Sequence, residues 1–180
     1  MEKNDLEKII DLHGNDILSF CHYLTRNREE AEDLCQDTFL LAFKKADAIG
    51  EREKTKSYLL SIAIHLWKNR KRKFAWRKRI SDDRIIPVLC GEYDSNQTER
   101  DPKNIASRAE TQQAVRGCVD RLPEKLKIPI LLYYMEGLKE REIAETLSIP
   151  VGTVKSRISQ AKTELSKMLA KANIEIETEG

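Results

Sequence analysis

Near the C-terminus, Lys155, Ser156, Ser159 and Gln160 recur at three- and four-residue steps, and Thr163 continues the row. Side chains so spaced share one face of a helix. Short hydroxyls and an amide can donate to and accept from base edges in a DNA groove, while an ammonium reaches a guanine or a phosphate. A solvated helix face ordinarily mixes Glu and Lys, yet here Lys155 and Arg157 come with no acid before Glu164. That imbalance favours a DNA-reading face over a plain solvated one. Thr153 and the backbone N–H groups at the start of the same helix could hold a phosphate.

A second cluster lies at residues 68–79, Lys-Asn-Arg-Lys-Arg-Lys-Phe-Ala-Trp-Arg-Lys-Arg, where eight of twelve residues are basic. Trp67, Phe74 and Trp76 are interleaved with the cations. Cations neutralise phosphates and aromatic faces accept unstacked bases, so the combination suits DNA that is being opened. The plainer alternative is a solvated basic helix end, favoured by the macrodipole. A third cluster has the opposite sign: Glu29, Glu30, Glu32, Asp33 and Asp37. Carboxylates stabilise the start of any helix, but they repel DNA, so this face should turn toward a protein.

Other chemistry finds little support. His13, His22 and His65 show no metal-ligand spacing, and Cys21, Cys35, Cys90 and Cys118 form no Cys-x-x-Cys pair. A free Cys among apolar positions acts as a small hydrophobe. An enzyme would need carboxylates clustered with His, or a Cys beside a base; none is expected, and no metal or cofactor either. No apolar run approaches the ~20 residues of a membrane span, and the polar start Met1–Asp5 lacks a signal-peptide centre. A cytoplasmic, reduced protein without direct membrane insertion is expected. The chain has 180 residues with 32 Lys plus Arg against 30 Asp plus Glu, a net charge of only +2. The sum argues against a nucleic-acid partner; the segregation argues for one.

Helical periodicity supplies the elements that must hold these clusters. Leu6, Ile9, Ile10, Ile17, Cys21 and Leu24 make one stripe. A second helix is predicted to open at Asn27 with Glu30 as capping-box partner. It would bury Ala31, Leu34, Cys35 and Ala42, with Phe39 and Phe43 adjoining. After a polar break at Ala48–Lys56, a third carries Leu59, Ile62, Ala63 and Leu66 into the basic run. Between residues 81 and 103 the period disappears in favour of Pro, Gly and polar residues, a linker that includes the apolar piece Ile85–Leu89. It resumes with Asn104 as N-cap, and Leu122-Pro123 separates two helices. Pro129 should kink or restart the second of them, and Gly137 should close it. Helices at about Lys139–Leu147 and Thr153–Ala172 then flank a turn at Ser148–Gly152, a helix-turn-helix. The fold class is all-α: two small helical domains, residues 1–80 and 104–172, joined by a flexible linker at 81–103 and followed by a tail at 173–180.

The segment Ala31-Glu32-Asp33-Leu34-Cys35-Gln36-Asp37-Thr38-Phe39 is similar to the core-polymerase-binding segment of bacterial sigma factors of the extracytoplasmic-function (ECF) group. Ser57–Ala63 resembles the promoter-opening segment that follows it. Leu122-Pro123-Glu124 and the run from Glu136 to Arg157 resemble the family's second DNA-binding domain. The resemblance implies a factor without a catalytic site that guides core RNA polymerase to promoter DNA and helps to open it. Asp33, Gln36, Asp37 and Phe39 would contact the polymerase clamp helices. Ser61, His65, Lys68, Asn69 and Arg72 would face the non-template strand of the −10 element. The loop at Ala48–Lys56 would take a flipped base. Lys155, Ser156, Ser159 and Gln160, beside Thr153, would read the double-stranded −35 element. An anti-sigma factor is an expected partner. Three positions depart from the pattern: His65 stands where Asn is common, Tyr58 where Trp is, and Gln160 where Arg is. The last favours adenine over guanine or phosphate. A stand-alone dimeric helix-turn-helix regulator would explain residues 104–172 but leaves the acidic and aromatic–basic clusters without a task.

Overall fold

The computed structural model describes residues 3–45, 55–80 and 102–171. Seven helices occupy them: α1 (Lys3–Thr25), α2 (Arg28–Lys44), α3 (Thr55–Ile80), α4 (Pro102–Arg121), α5 (Glu124–Tyr134), α6 (Glu140–Leu147) and α7 (Val151–Lys171). No strand occurs among the described residues, in keeping with the all-α expectation. The helices fall into two compact units, α1–α3 and α4–α7. Residues 48–54 of the predicted loop, the apolar piece Ile85–Leu89, the linker as far as residue 101, and the tail lie outside the described residues.

In the first unit each helix packs on the other two. The core takes Ile17, Phe20, Cys21 and Leu24 from α1, Ala31, Leu34, Thr38 and Phe39 from α2, and Leu59, Leu60, Ala63, Ile64 and Trp67 from α3. Burying a large apolar side chain stabilises by about 1.5–3 kcal/mol, so such a set is what makes these helices persist. Thr38 is admitted because its hydroxyl donates to Leu34 O at 2.7 Å. The two-residue break at Arg26-Asn27 starts α2 as expected: Asn27 Oδ1 accepts the Glu30 N–H at 3.0 Å. The predicted stripe on α1 missed Phe20, which is fully buried, and included Ile10, which is exposed.

The second unit is built on α7, which packs against α4, α5 and α6. Leu122, Leu126, Ile130 and Ala161 form a core against which Leu165 and Met168 rest. Ile143 and Ala144 of α6 and Val154 and Ile158 of α7 are buried in the helix-turn-helix, where α6 packs on α7. Two helix starts in this unit precede the sequence reading, by three residues and by two. α4 begins at Pro102, not after Asn104, because Pro costs nothing in a first turn. α7 begins at Val151, so Gly152 sits within its first turn. Pro129 does not interrupt α5. Its missing N–H releases only the carbonyl of Lys125, an exposed residue that water can reach, while the ring itself is buried.

The turn of the helix-turn-helix is closed by backbone bonds. Ser148 takes a left-handed conformation (φ 52°) just past α6. Ile149 N–H then donates to Ala144 O at 3.0 Å and Ser148 N–H to Glu145 O at 3.2 Å. This is the Schellman arrangement, with a non-glycine residue where Gly is usual. At the other end of α6, the Glu142 carboxylate accepts the Lys139 N–H at 2.6 Å.

Candidate nucleic-acid interface

On α7 the residues predicted to read DNA share one face. Lys155, Ser156, Ser159 and Gln160 are exposed, while Val154, Ile158 and Ala161 are buried behind them. Gln160 Nε2 donates to Ser156 Oγ at 3.3 Å, so hydroxyl and amide stand together one turn apart. Lys155 Nζ lies 3.7 Å from Glu140 Oε2, across the start of α6. Thr153 is half-buried beside this row. Its N–H already donates to Pro150 O at 2.9 Å, so it is not an open donor. By position, the first N–H groups of the helix are those of Val151 and Gly152.

The α3 residues predicted to face a single strand lie at positions 61, 65, 68, 69 and 72, a row along one face. Three of them are linked: Asn69 Nδ2 lies 2.9 Å from His65 Nε2, and Arg72 donates to Asn69 Oδ1. Ser61 turns its hydroxyl back to Tyr58 O at 2.7 Å. Lys68 is exposed. Trp67, grouped by sequence with the open aromatics, is 93% withdrawn from solvent, at 7% exposure, and Lys71 Nζ caps its ring 4.7 Å from the centroid. Phe74 and Trp76 remain as the open aromatics, at 65% and 66% exposure.

On α2, Asp33, Gln36 and Asp37 are exposed. Phe39 is not: it is buried in the three-helix core, so it can support that surface but not form it. Leu40 and Phe43, which sequence reasoning left out of the surface, are exposed instead. The signal was present, since five consecutive apolar residues, Phe39–Phe43, cover more than a full helical turn and cannot all face inward. Asp37 is tied to the basic helix by an ion pair with Arg70 at 2.5 Å. The apolar run at the end of α5 likewise surfaces: Tyr133, Tyr134 and Met135 are exposed, and Lys162 lies over both rings. The Tyr134 hydroxyl beside it raises the Lys162 ammonium above its ordinary value.

Away from these faces, Cys35 on α2 is held below the usual thiol range by a hydrogen bond with Cys21 of α1. Burial lowers His13 and His22 from their ordinary 6.5. Among the described residues no group of three His, Cys, Asp or Glu could hold a metal ion, and no helix is long and apolar enough to cross a membrane.

Two family matches fall on these units: sigma-70 region 2 over residues 9–77 and sigma-70 region 4 over residues 112–165. The chain is 30% identical over 167 residues to the ECF RNA polymerase sigma factor SigW of Bacillus subtilis, covering 89% of this chain and 87% of that one. It is 32% identical over 143 residues to the ECF RNA polymerase sigma-E factor of Haemophilus influenzae, covering 78% and 74%. The fold is also that of the sigma factor RpoE of Bartonella quintana, solved with the anti-sigma factor NepR. That match has a TM-score of 0.75 at 23% identity, over 92% of this chain and 97% of that one. CnrH, solved with the cytosolic domain of CnrY, gives a TM-score of 0.65 at 18% identity, over 94% and 90%.

Proposed function

The chain belongs to the ECF sigma factors of RNA polymerase, and from that premise we propose how its surfaces divide the work of starting transcription. The face of α2 with Asp33, Gln36, Asp37, Leu40 and Phe43 docks on core RNA polymerase. Its carboxylates repel DNA, and its two exposed apolar side chains gain by leaving water. The face of α3 with Ser61, His65, Lys68, Asn69 and Arg72 holds the non-template strand of the −10 element. Unstacking a base costs a few kcal/mol, which the cations and the open rings of Phe74 and Trp76 offset. The exposed row on α7 reads the −35 element in the major groove.

The domain bounds 1–80 and 104–172 divide these tasks, the second with its first helix extended back to Pro102. The protein is not an enzyme and works in the cytoplasm. An anti-sigma factor restrains it, as suggested by the similarly folded RpoE, which was solved with the anti-sigma factor NepR. The observation that carries the reading is the presence, in one chain, of an acidic–apolar face on α2 and a separate acid-poor reading face on α7. A repressor needs only the latter.

Run-off transcription from a genomic promoter library tests it. The chain should start transcripts only with core polymerase and bind duplex DNA weakly alone. Tight, polymerase-independent operator binding would favour the dimeric regulator. Asp33→Lys should weaken polymerase binding about ten-fold or more by placing a cation where an anion is needed. Lys155→Ala should lower promoter recognition while leaving polymerase binding intact.

A further inference from the structure

The reading face of α7 carries one neighbour that does not suit DNA. Glu140, the first residue of α6, lies half-buried with its carboxylate 3.7 Å from the Lys155 ammonium. Helix capping does not require it, because Glu142 already accepts the Lys139 N–H at the start of α6. The pair contributes little to stability, since both side chains are substantially in water. Any surface that brings Lys155 to a duplex also brings this carboxylate to the phosphates, at an electrostatic cost. As a first-turn carboxylate Glu140 gains at most about 1 kcal/mol from the dipole of α6, and its charge beside Lys155 bears on DNA through selectivity, not affinity.

We propose that Glu140 is a specificity-determining residue of the −35 contact, acting through Lys155. By holding the ammonium on the side of the reading row, it keeps Lys155 directed at base edges and away from the backbone. Its own charge also penalises docking in which Lys155 would neutralise a phosphate. Sequence-independent binding falls, and the ratio of right to wrong sites rises. The inference rests on α7 being the −35 reader, as proposed above.

Glu140→Gln tests it in two measurements. With the full-length chain on generic duplex DNA, the variant should bind more tightly, and its salt dependence should steepen by about 0.9 log units per log unit of salt, one phosphate contact. Its advantage over the parent should therefore shrink about three-fold between roughly 50 and 200 mM salt. With holoenzyme on a library randomised at the −35 element, preference should relax at one base step by about five-fold or more, with the other steps unchanged. Adding Lys155→Gln should erase both differences.

An unchanged salt slope together with an unchanged base profile would overturn the proposal. So would loss of preferred-promoter binding in Glu140→Gln, which would make the carboxylate a direct acceptor from a base. A parent holoenzyme with no −35 preference at all, while the salt slope still shifts, would instead overturn the assignment of α7 as reader.

Discussion

Lys127 is a cation in the core of the second unit, 5% exposed, and its ammonium donates to Asp120 of α4 at 2.8 Å. Desolvating an ammonium costs several kcal/mol, so the carboxylate opposite it matters more than an average surface partner. Asp120→Ala should destabilise by about 2–3 kcal/mol, whereas Lys127→Met, which removes the charge and keeps the volume, should fall within about 1 kcal/mol of the parent. Denaturant titration of the two variants separates them. This pair was not legible in the sequence, because Lys127 sits in an ordinary-looking surface register until α5 is folded against its neighbours. Phe39 and Trp67 failed in the opposite direction. Both belong to motifs with expected surface roles, and both are large enough that the three-helix core takes them first. The exposed row on α7 was legible because Val154, Ile158 and Ala161 mark the buried side unambiguously and leave the rest to solvent.

Helix ends show how much local chemistry governs each element. Asn27 caps α2 through its side chain, so Asn27→Ala should cost about 1 kcal/mol in the first unit. Ser148 holds a left-handed conformation that Gly adopts freely. Ser148→Gly should leave the helix-turn-helix intact and raise its melting point slightly, by the equivalent of about 0.5–1 kcal/mol. Thermal denaturation followed by circular dichroism reads both changes. Starts at Pro102 and Val151 lay beyond the pattern because apolar spacing fixes a helix's middle better than its first turn.

On α1, burial lowers His13 and His22, so the folded state prefers them neutral. As pH falls through 6.5 the unfolded chain takes up protons first, and stability declines until the folded histidines also titrate. Denaturation midpoints measured from about pH 7.5 down to about 5.5 should drop, and His13→Gln should flatten the slope.

At the scale of the whole molecule, a net charge of +2 is the residue of opposed patches. The segregation was visible in sequence because each patch occupies a single stretch of chain. What sequence did not disclose is that two stretches touch: Asp37 from the acidic patch on α2 is bonded to Arg70 from the basic run on α3. That contact joins residues 33 positions apart and depends on how α2 packs against α3. One carboxylate therefore serves two ledgers. If Asp37 turns to the polymerase, Arg70 is released toward a DNA strand; if the strand draws Arg70 off first, Asp37 is released toward the polymerase. Thermodynamic linkage makes these the same free energy seen from either side. Each partner must tighten the other's binding by an equal factor, at most about five-fold for a pair this exposed.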